Sequence, residues 1–135
     1  MSRVYLAGPL FTDAERRFNA ALAERLTSAG HEVFLPQDEV PQDESPGHAA
    51  RVFAADLRGL QWATVVVAVC DGPLVDDGTA WEIGYACAQQ VPVIGLRTDS
   101  RIIGREERVN LMIQQSVRCL VTTVDEVVAA LRELG

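Results

Sequence analysis

The feature that most constrains this chain is the run Thr64-Val65-Val66-Val67-Ala68-Val69. Nearly every residue in it is apolar and most are β-branched, so it does not alternate between a wet and a dry face. Such a run fits a central parallel strand buried on both sides. Parallel strands need crossover connections, usually helical, and the flanking sequence supplies them. Arg3 to Ala7 reads as a first strand ending at Gly8-Pro9. Thr12 then opens a helix, with Glu15 three residues on in a capping box. Phe18, Leu22 and Leu26 share one face of it, and Gly30 closes it as a C′ glycine. His31 to Leu35 is a second strand, stopped by Pro36. Gln37 to Pro46 holds acids and a proline without apolar periodicity and reads as a long loop. Gly47 to about Gln61 reads as a helix, with Val52, Phe53, Leu57 and Leu60 near one face.

After the central strand, Asp71 to Asp77 is a loop and about Gly78 to Gln90 a helix. Val91 to Leu96 is another strand. Thr98 to Arg108 is polar and expected to be mobile. Asn110 to Gln115 predicts a short helix, Arg118 to Thr122 the last strand, and Thr123 with Glu126 caps a final helix to Leu134. The alternation predicts an α/β fold: a single domain over residues 1–135, with a five-stranded parallel sheet and helices on both faces, flavodoxin-like in order. Ligands of such sheets bind outside the carboxyl ends of the strands. The segments expected there are Gly8 to Asp13, Pro36 to Gly47, Asp71 to Gly78 and Arg97 to Asn110.

Several function classes are disfavoured. A formal net charge of −7 argues against a nucleic-acid ligand, because phosphate backbones select a basic surface. No apolar run reaches the roughly 18 residues of a membrane span, and the amino terminus is not a signal peptide. A cytoplasmic protein is expected, with Cys70, Cys87 and Cys119 as buried free thiols. His31 and His48 lack ligand spacing to each other or to a cysteine, so no metal is expected. The loop after the first strand has neither a phosphate-loop nor a dinucleotide-binding fingerprint, and no cofactor is expected. A receiver domain of the same topology needs its acids after the first strand, where this chain has Gly8-Pro9-Leu10-Phe11.

What remains is a set of carboxylates at one sheet edge. Asp71, Asp76 and Asp77 flank the start of a helix, more acids than one cap needs. Asp77, before Gly78, is the better cap candidate, which leaves Asp76 to face a ligand. Glu82 lies one turn further on, beside Trp81, Ile83 and Tyr85. The segment Ala80 to Ala88 has no other charge and reads as largely buried, and a carboxylate there needs a partner or a function. Asp56 and Tyr5, taken alone, read as a solvated residue among arginines and a core residue. Neither histidine has the context of a serine–histidine–acid triad. Several carboxylates without a metal signature suit glycosyl transfer, in which one attacks the anomeric carbon and another group assists the leaving group.

The sequence also resembles the nucleoside 2-deoxyribosyltransferases and, more broadly, their superfamily with the deoxynucleotide N-hydrolases. The matching pieces are Tyr5-Leu6-Ala7-Gly8-Pro9-Leu10-Phe11, Asp56 eight residues before Thr64-Val65-Val66-Val67-Ala68, Asp76 through Ala86, and Asn110-Leu111-Met112. The stretch Asp77-Gly78-Thr79-Ala80-Trp81-Glu82-Ile83-Gly84-Tyr85-Ala86 is the most specific. The resemblance implies a covalent deoxyribosyl-enzyme on Glu82, with Tyr5 orienting that carboxylate and Asp56 assisting protonation of the leaving base. It implies Asp76 as a ligand of a sugar hydroxyl, with Gly8 and Gln37 at the substrate, Gln37 against the base. Asn110, with Met112 beside it, would serve the neighbouring subunit's site in a homodimer or higher homo-oligomer. The substrates implied are a nucleoside and a free nucleobase. In relatives that hydrolyse 5′-monophosphates a neutral donor stands at the Asp76 position, and a carboxylate beside a phosphate dianion is unfavourable. Two alternatives follow: an N-glycosidase acting on a nucleoside or a 5′-monophosphate, and a non-catalytic nucleoside-binding domain. The chain ends Glu133-Leu134-Gly135, without the terminal tyrosine that helps build the site in some transferases.

Overall fold

The computed structural model describes residues 1–40 and 43–135. Five parallel strands form one sheet in the order β2-β1-β3-β4-β5. They are β1 (Arg3–Ala7), β2 (Glu32–Phe34), β3 (Val65–Val69), β4 (Val93–Leu96) and β5 (Cys119–Val121). The order is flavodoxin-like, as expected, and it reverses direction between β1 and β3, which creates a crevice at their carboxyl ends. The crossovers are α1 (Asp13–Ser28), the single turn α2 (Pro36–Glu39) with α3 (His48–Trp62), α4 (Asp77–Ala88) and α5 (Leu111–Ser116), and α6 (Val124–Leu134) closes the chain.

Every residue of β3 is buried, because apolar clusters cover both of its faces. On one face Val65, Val67 and Val69 pack with Leu22 and Leu26 of α1 and Val127 and Leu131 of α6. On the other, Val66 and Ala68 pack with Tyr5, Leu60 of α3 and Ile83 of α4. The capping box of α1 is formed, with Thr12 Oγ1 accepting from Glu15 N at 3.1 Å and Glu15 Oε1 from Thr12 N at 2.8 Å. Gly30, at φ 97°, closes that helix in the left-handed region, where glycine carries no steric penalty. Gly59 lets α3 approach the sheet: a Cβ there would come 2.8 Å from the Phe34 ring. That ring in turn stacks on Tyr5 at 5.3 Å between centroids.

The structure corrects four local expectations. The segment after Pro36 starts as α2 rather than as loop, and residues 41 and 42 of the expected loop lie outside the described residues. The helix carrying Glu82 is buried along one face only, through Thr79, Ile83 and Ala86, while Trp81 is 51% exposed. Cys70 alone of the cysteines is fully buried, and Cys87 is exposed. The start of the Thr98 to Arg108 segment is tied down by hydrogen bonds to the β3–α4 loop, from Thr98 N and Asp99 N to Asp71 Oδ1 at 2.7 and 3.0 Å. No helix among the described residues is long and apolar enough to cross a membrane.

Candidate active site

A cleft of about 510 Å³ opens at the carboxyl edge of the sheet, between the turn after β1, α3 and the start of α4. The turn contributes Gly8, Leu10 and Phe11; α3 contributes Phe53, Asp56 and Leu60; α4 and its cap contribute Asp76, Trp81 and Glu82. Gly8 is needed for close approach, since a Cβ there would sit 3.0 Å from Val69 Cβ.

Tyr5 occupies the middle of β1, between Phe34 and Val66 on the neighbouring strands. Its side chain is buried, and its hydroxyl donates a hydrogen bond to Glu82 Oε2. Burial and the adjacent Glu82 charge hold the phenol well above its ordinary range, so it remains a proton donor at any working pH. Glu82 is pushed up to about 7, chiefly by burial, with the Tyr5 hydrogen bond pulling down and the Asp56 and Asp76 charges pushing further up. Asp56 is pushed up to about 6, again by burial, against the pull of the Tyr5 hydroxyl. Its Oδ1 is buried and has no hydrogen-bond partner among the described residues. A buried acceptor without a donor is costly, and here it belongs to a residue lining the cleft, where a ligand can supply the missing donor.

Asp76, not Asp77, caps α4: its Oδ2 accepts from Thr79 N at 3.0 Å and from Thr79 Oγ1 at 2.9 Å. Residue 76 therefore both caps the helix and, as expected, faces the cleft, and only the expected cap at Asp77 is corrected. Thr79 is buried, so its hydroxyl demands an acceptor, and Asp76 alone is placed to satisfy both Thr79 donors. Asp77 sits at the exposed first position of the helix, also against the cleft.

Three expected site residues lie elsewhere in their own chain. Gln37 is absent from the cleft wall; it donates to Arg16 O at 2.9 Å and accepts from Asn19 Nδ2 at 3.2 Å, so its amide braces α1 against α2. Buried Asn19 donates through Nδ2 to Pro9 O at 2.9 Å as well as to Gln37, so the Gln37 amide is engaged with α1. Asn110 caps α5, its Oδ1 accepting from Met112 N at 2.8 Å, and both residues are exposed, away from the cleft.

The structure adds an aromatic rim that the sequence reading did not identify. Phe53 meets Trp81 edge-on at 5.8 Å, and Trp81 stacks on Tyr85 at 5.6 Å with an interplanar angle of 11°. The sequence carried a signal for part of this. Phe53, Asp56, Leu57 and Leu60 follow i, i+3, i+4, i+7 spacing, so an acid interrupts the apolar face of α3, and that face lines a cleft instead of packing only into core. The assembled chemistry is a carboxylate held by a phenol, a second carboxyl able to carry a proton near neutral pH, and flat apolar walls. That set can form and break a bond to an electrophilic carbon.

Burial of Glu82 has a stability signature. Its folded-state pKa, about 7, lies above the ordinary glutamate value of 4.5. The folded protein therefore binds the extra proton between those values, and stability falls as pH rises through that window. Glu82→Gln keeps an acceptor for Tyr5 and removes the charge. The expected result is a gain in unfolding free energy on the order of 1–3 kcal/mol at pH 8 that shrinks to near zero at pH 4; denaturant melts at the two pH values measure it, and a gain independent of pH would contradict the assignment.

A family model for nucleoside 2-deoxyribosyltransferases matches residues 4–120. No curated protein gives a significant match. Among solved structures, a conserved protein from Enterococcus faecalis V583 is 26% identical, with a TM-score of 0.88 over 100% of this chain and 99% of that one. A 2-deoxyribosyltransferase from the psychrotolerant bacterium Bacillus psychrosaccharolyticus is 30% identical, with a TM-score of 0.78 over 92% of this chain and 88% of that one. A CMP N-glycosidase from Clostridium botulinum shares the fold at 20% identity, with a TM-score of 0.61 over 96% and 98% of the two chains. The matched residues run from β1 into β5 and take in every cleft-forming element, and the chain belongs to the nucleoside 2-deoxyribosyltransferase family.

Proposed function

We propose that the protein transfers 2-deoxyribose between nucleobases through a covalent intermediate on Glu82, with hydrolysis as a side reaction. The observation that carries this reading is the Glu82 carboxylate, hydrogen-bonded by the buried Tyr5 phenol and facing the same cleft as Asp56. In the first half-reaction a Glu82 oxygen attacks the anomeric carbon as the glycosidic C–N bond breaks, and Asp56 delivers a proton to the departing base. In the second half a nitrogen of the incoming base attacks the same carbon, the bond to Glu82 breaks, and Asp56 takes up the proton. Both transition states carry positive charge on the sugar, which the carboxylates stabilise. Tyr5 fixes which Glu82 oxygen is engaged and leaves the other to react. Asp76, with Oδ2 spent on the helix cap, offers its remaining oxygen to a sugar hydroxyl.

A nucleoside is favoured over its 5′-monophosphate. The described residues lining the cleft include four carboxylates, Asp56, Asp76, Asp77 and Glu82, and no arginine, lysine or histidine. A phosphate dianion entering such a wall meets repulsion without a counter-charge. The Bacillus psychrosaccharolyticus neighbour, a 2-deoxyribosyltransferase, supports the transfer reading.

Assembly belongs to the same proposal. Asn110 and Met112 are exposed in their own chain, beside exposed Leu111, and Trp81 is half-exposed at the cleft. An apolar surface of this kind on an otherwise acidic protein favours association, and a second copy docked there would bring Asn110 to its partner's sugar subsite.

Two experiments test these points. Chromatography of the protein incubated with deoxyinosine or thymidine, with and without adenine, should show a new deoxynucleoside only when the second base is present, and Glu82→Ala should fold yet lose at least about 10³-fold in rate. Base release at equal rates in both tubes would mean hydrolysis, and release only from a 5′-monophosphate would mean that Asp76 does not exclude phosphate. For shared sites, mixing inactive Glu82→Ala with Asn110→Ala protein should restore part of the activity as subunits exchange. A mixture no more active than the sum of its parts would contradict sharing.

A further inference from the structure

Arg97, immediately after β4, is the largest side chain that the fold buries, at 2% exposure. A buried guanidinium is costly unless its N–H groups find acceptors. Among the described residues it makes no ion pair; its partners are backbone carbonyls. Nη1 donates to Cys70 O at 2.5 Å and to Gly72 O at 3.0 Å, while Nη2 and Nε donate to Arg101 O at 3.0 and 3.4 Å. One planar fork thus joins the β3–α4 loop to the segment that follows β4.

A second set of bonds joins the same two loops from the less buried side. The Asp71 carboxylate accepts from Thr98 N, Thr98 Oγ1 and Asp99 N at 2.7, 2.6 and 3.0 Å, and Gly72 N donates to Asp99 Oδ2 at 3.1 Å. Gly72 stands at φ 108°, a backbone conformation that glycine adopts without steric penalty and that lets the loop turn between the two sets of bonds. Four residues later the loop ends at Asp76. The other loop leads on to Asn110.

We propose that Arg97 is a positioning residue for substrate binding: by clasping the two loops it fixes Asp76 at the cleft wall. The proposal rests on the reading of Asp76 as the ligand of a sugar hydroxyl. Arg97 touches no substrate; it acts through carbonyls that a lysine, with one point of charge in place of a planar fork, cannot hold together. Because the sugar hydroxyl is remote from the breaking bond, a displaced Asp76 weakens binding more than it slows chemistry.

The test compares Arg97→Met, Arg97→Lys, Asp71→Ala and Asp76→Asn by steady-state kinetics and by amide hydrogen exchange. In Arg97→Met we expect faster exchange at both Gly72 to Val75 and Thr98 to Arg101, a KM about tenfold higher and a kcat within about threefold of the parent. Arg97→Lys should behave like Arg97→Met, and Asp71→Ala should move the same parameters less. A folded Arg97→Met with lower thermal stability but unchanged KM overturns the proposal. If that variant does not fold, Asp71→Ala decides, and an unchanged KM there overturns it as well. Asp76→Asn separates the two readings: a raised KM in it beside an unchanged KM in Arg97→Met overturns the clasp alone, whereas unchanged KM in both overturns the sugar role of Asp76 and the clasp with it.

Discussion

The hydrogen bond from Tyr5 to Glu82 is the interaction on which the rest of the site depends. It joins the centre of the sheet to the first turns of α4, so the phenol can be no better placed than β1 is rigid. That rigidity comes from the sequence: β1 lies between β2 and β3, with Phe34 stacked on the Tyr5 ring and the all-apolar β3 beside it. A donor so fixed needs no reorganisation when charge moves on Glu82, which is the condition under which electrostatic stabilisation is strongest. The tyrosine that looks like core in the sequence is indeed core, and its hydroxyl meets Glu82 from behind the cleft wall.

The same site shows what stability is given up for reactivity. Asp56 and Glu82 are both shifted upward by burial, the Asp56 charge raises Glu82 further, and the Tyr5 hydroxyl pulls both down. Two carboxyls that interact in this way lose protons as a pair, over a range near neutrality. One can be a carboxylate while the other keeps a proton; burial raises Glu82 further than Asp56, so the proposed cleavage needs the bound substrate to move that proton from Glu82 to Asp56. Asp76 shows a different economy, since one residue caps α4 and faces the cleft. That places the helix amino terminus and its partial positive charge next to the cleft acids.

Much of this was legible in the sequence because it rests on local patterns. The valine run, the capping box at Thr12, the glycine at 30 and the cap at Thr123 all correspond to observed elements, and the parallel order followed from them. Asp76 and Glu82 meet the cleft because the start of α4 lies at the carboxyl edge of the sheet, whereas Tyr5 and Asp56, which taken alone read as core and as solvated, were assigned to the site by the family resemblance. What the sequence did not reveal depends on three-dimensional partners. The choice between Asp76 and Asp77 as cap turned on the buried Thr79 hydroxyl. The bond of Gln37 to Asn19, a residue of α1 eighteen positions earlier, has no local signature. Phe53 and Trp81 have helical spacing suited to core, and only the packing shows that they rim a cleft. Arg97 has no local signature, because a buried arginine is recognised by the carbonyls around it.

The central claim is that Glu82 forms a bond to the sugar. The most direct measurement is intact-protein and peptide mass spectrometry of enzyme quenched in acid during turnover of a deoxynucleoside without an acceptor base. The account predicts a mass increase of one deoxyribosyl group, located on the peptide carrying Glu82, absent in Glu82→Gln and discharged when a free base is added before the quench. Steady turnover with no adduct under conditions where the second step is limiting, or an adduct on another residue, would contradict it.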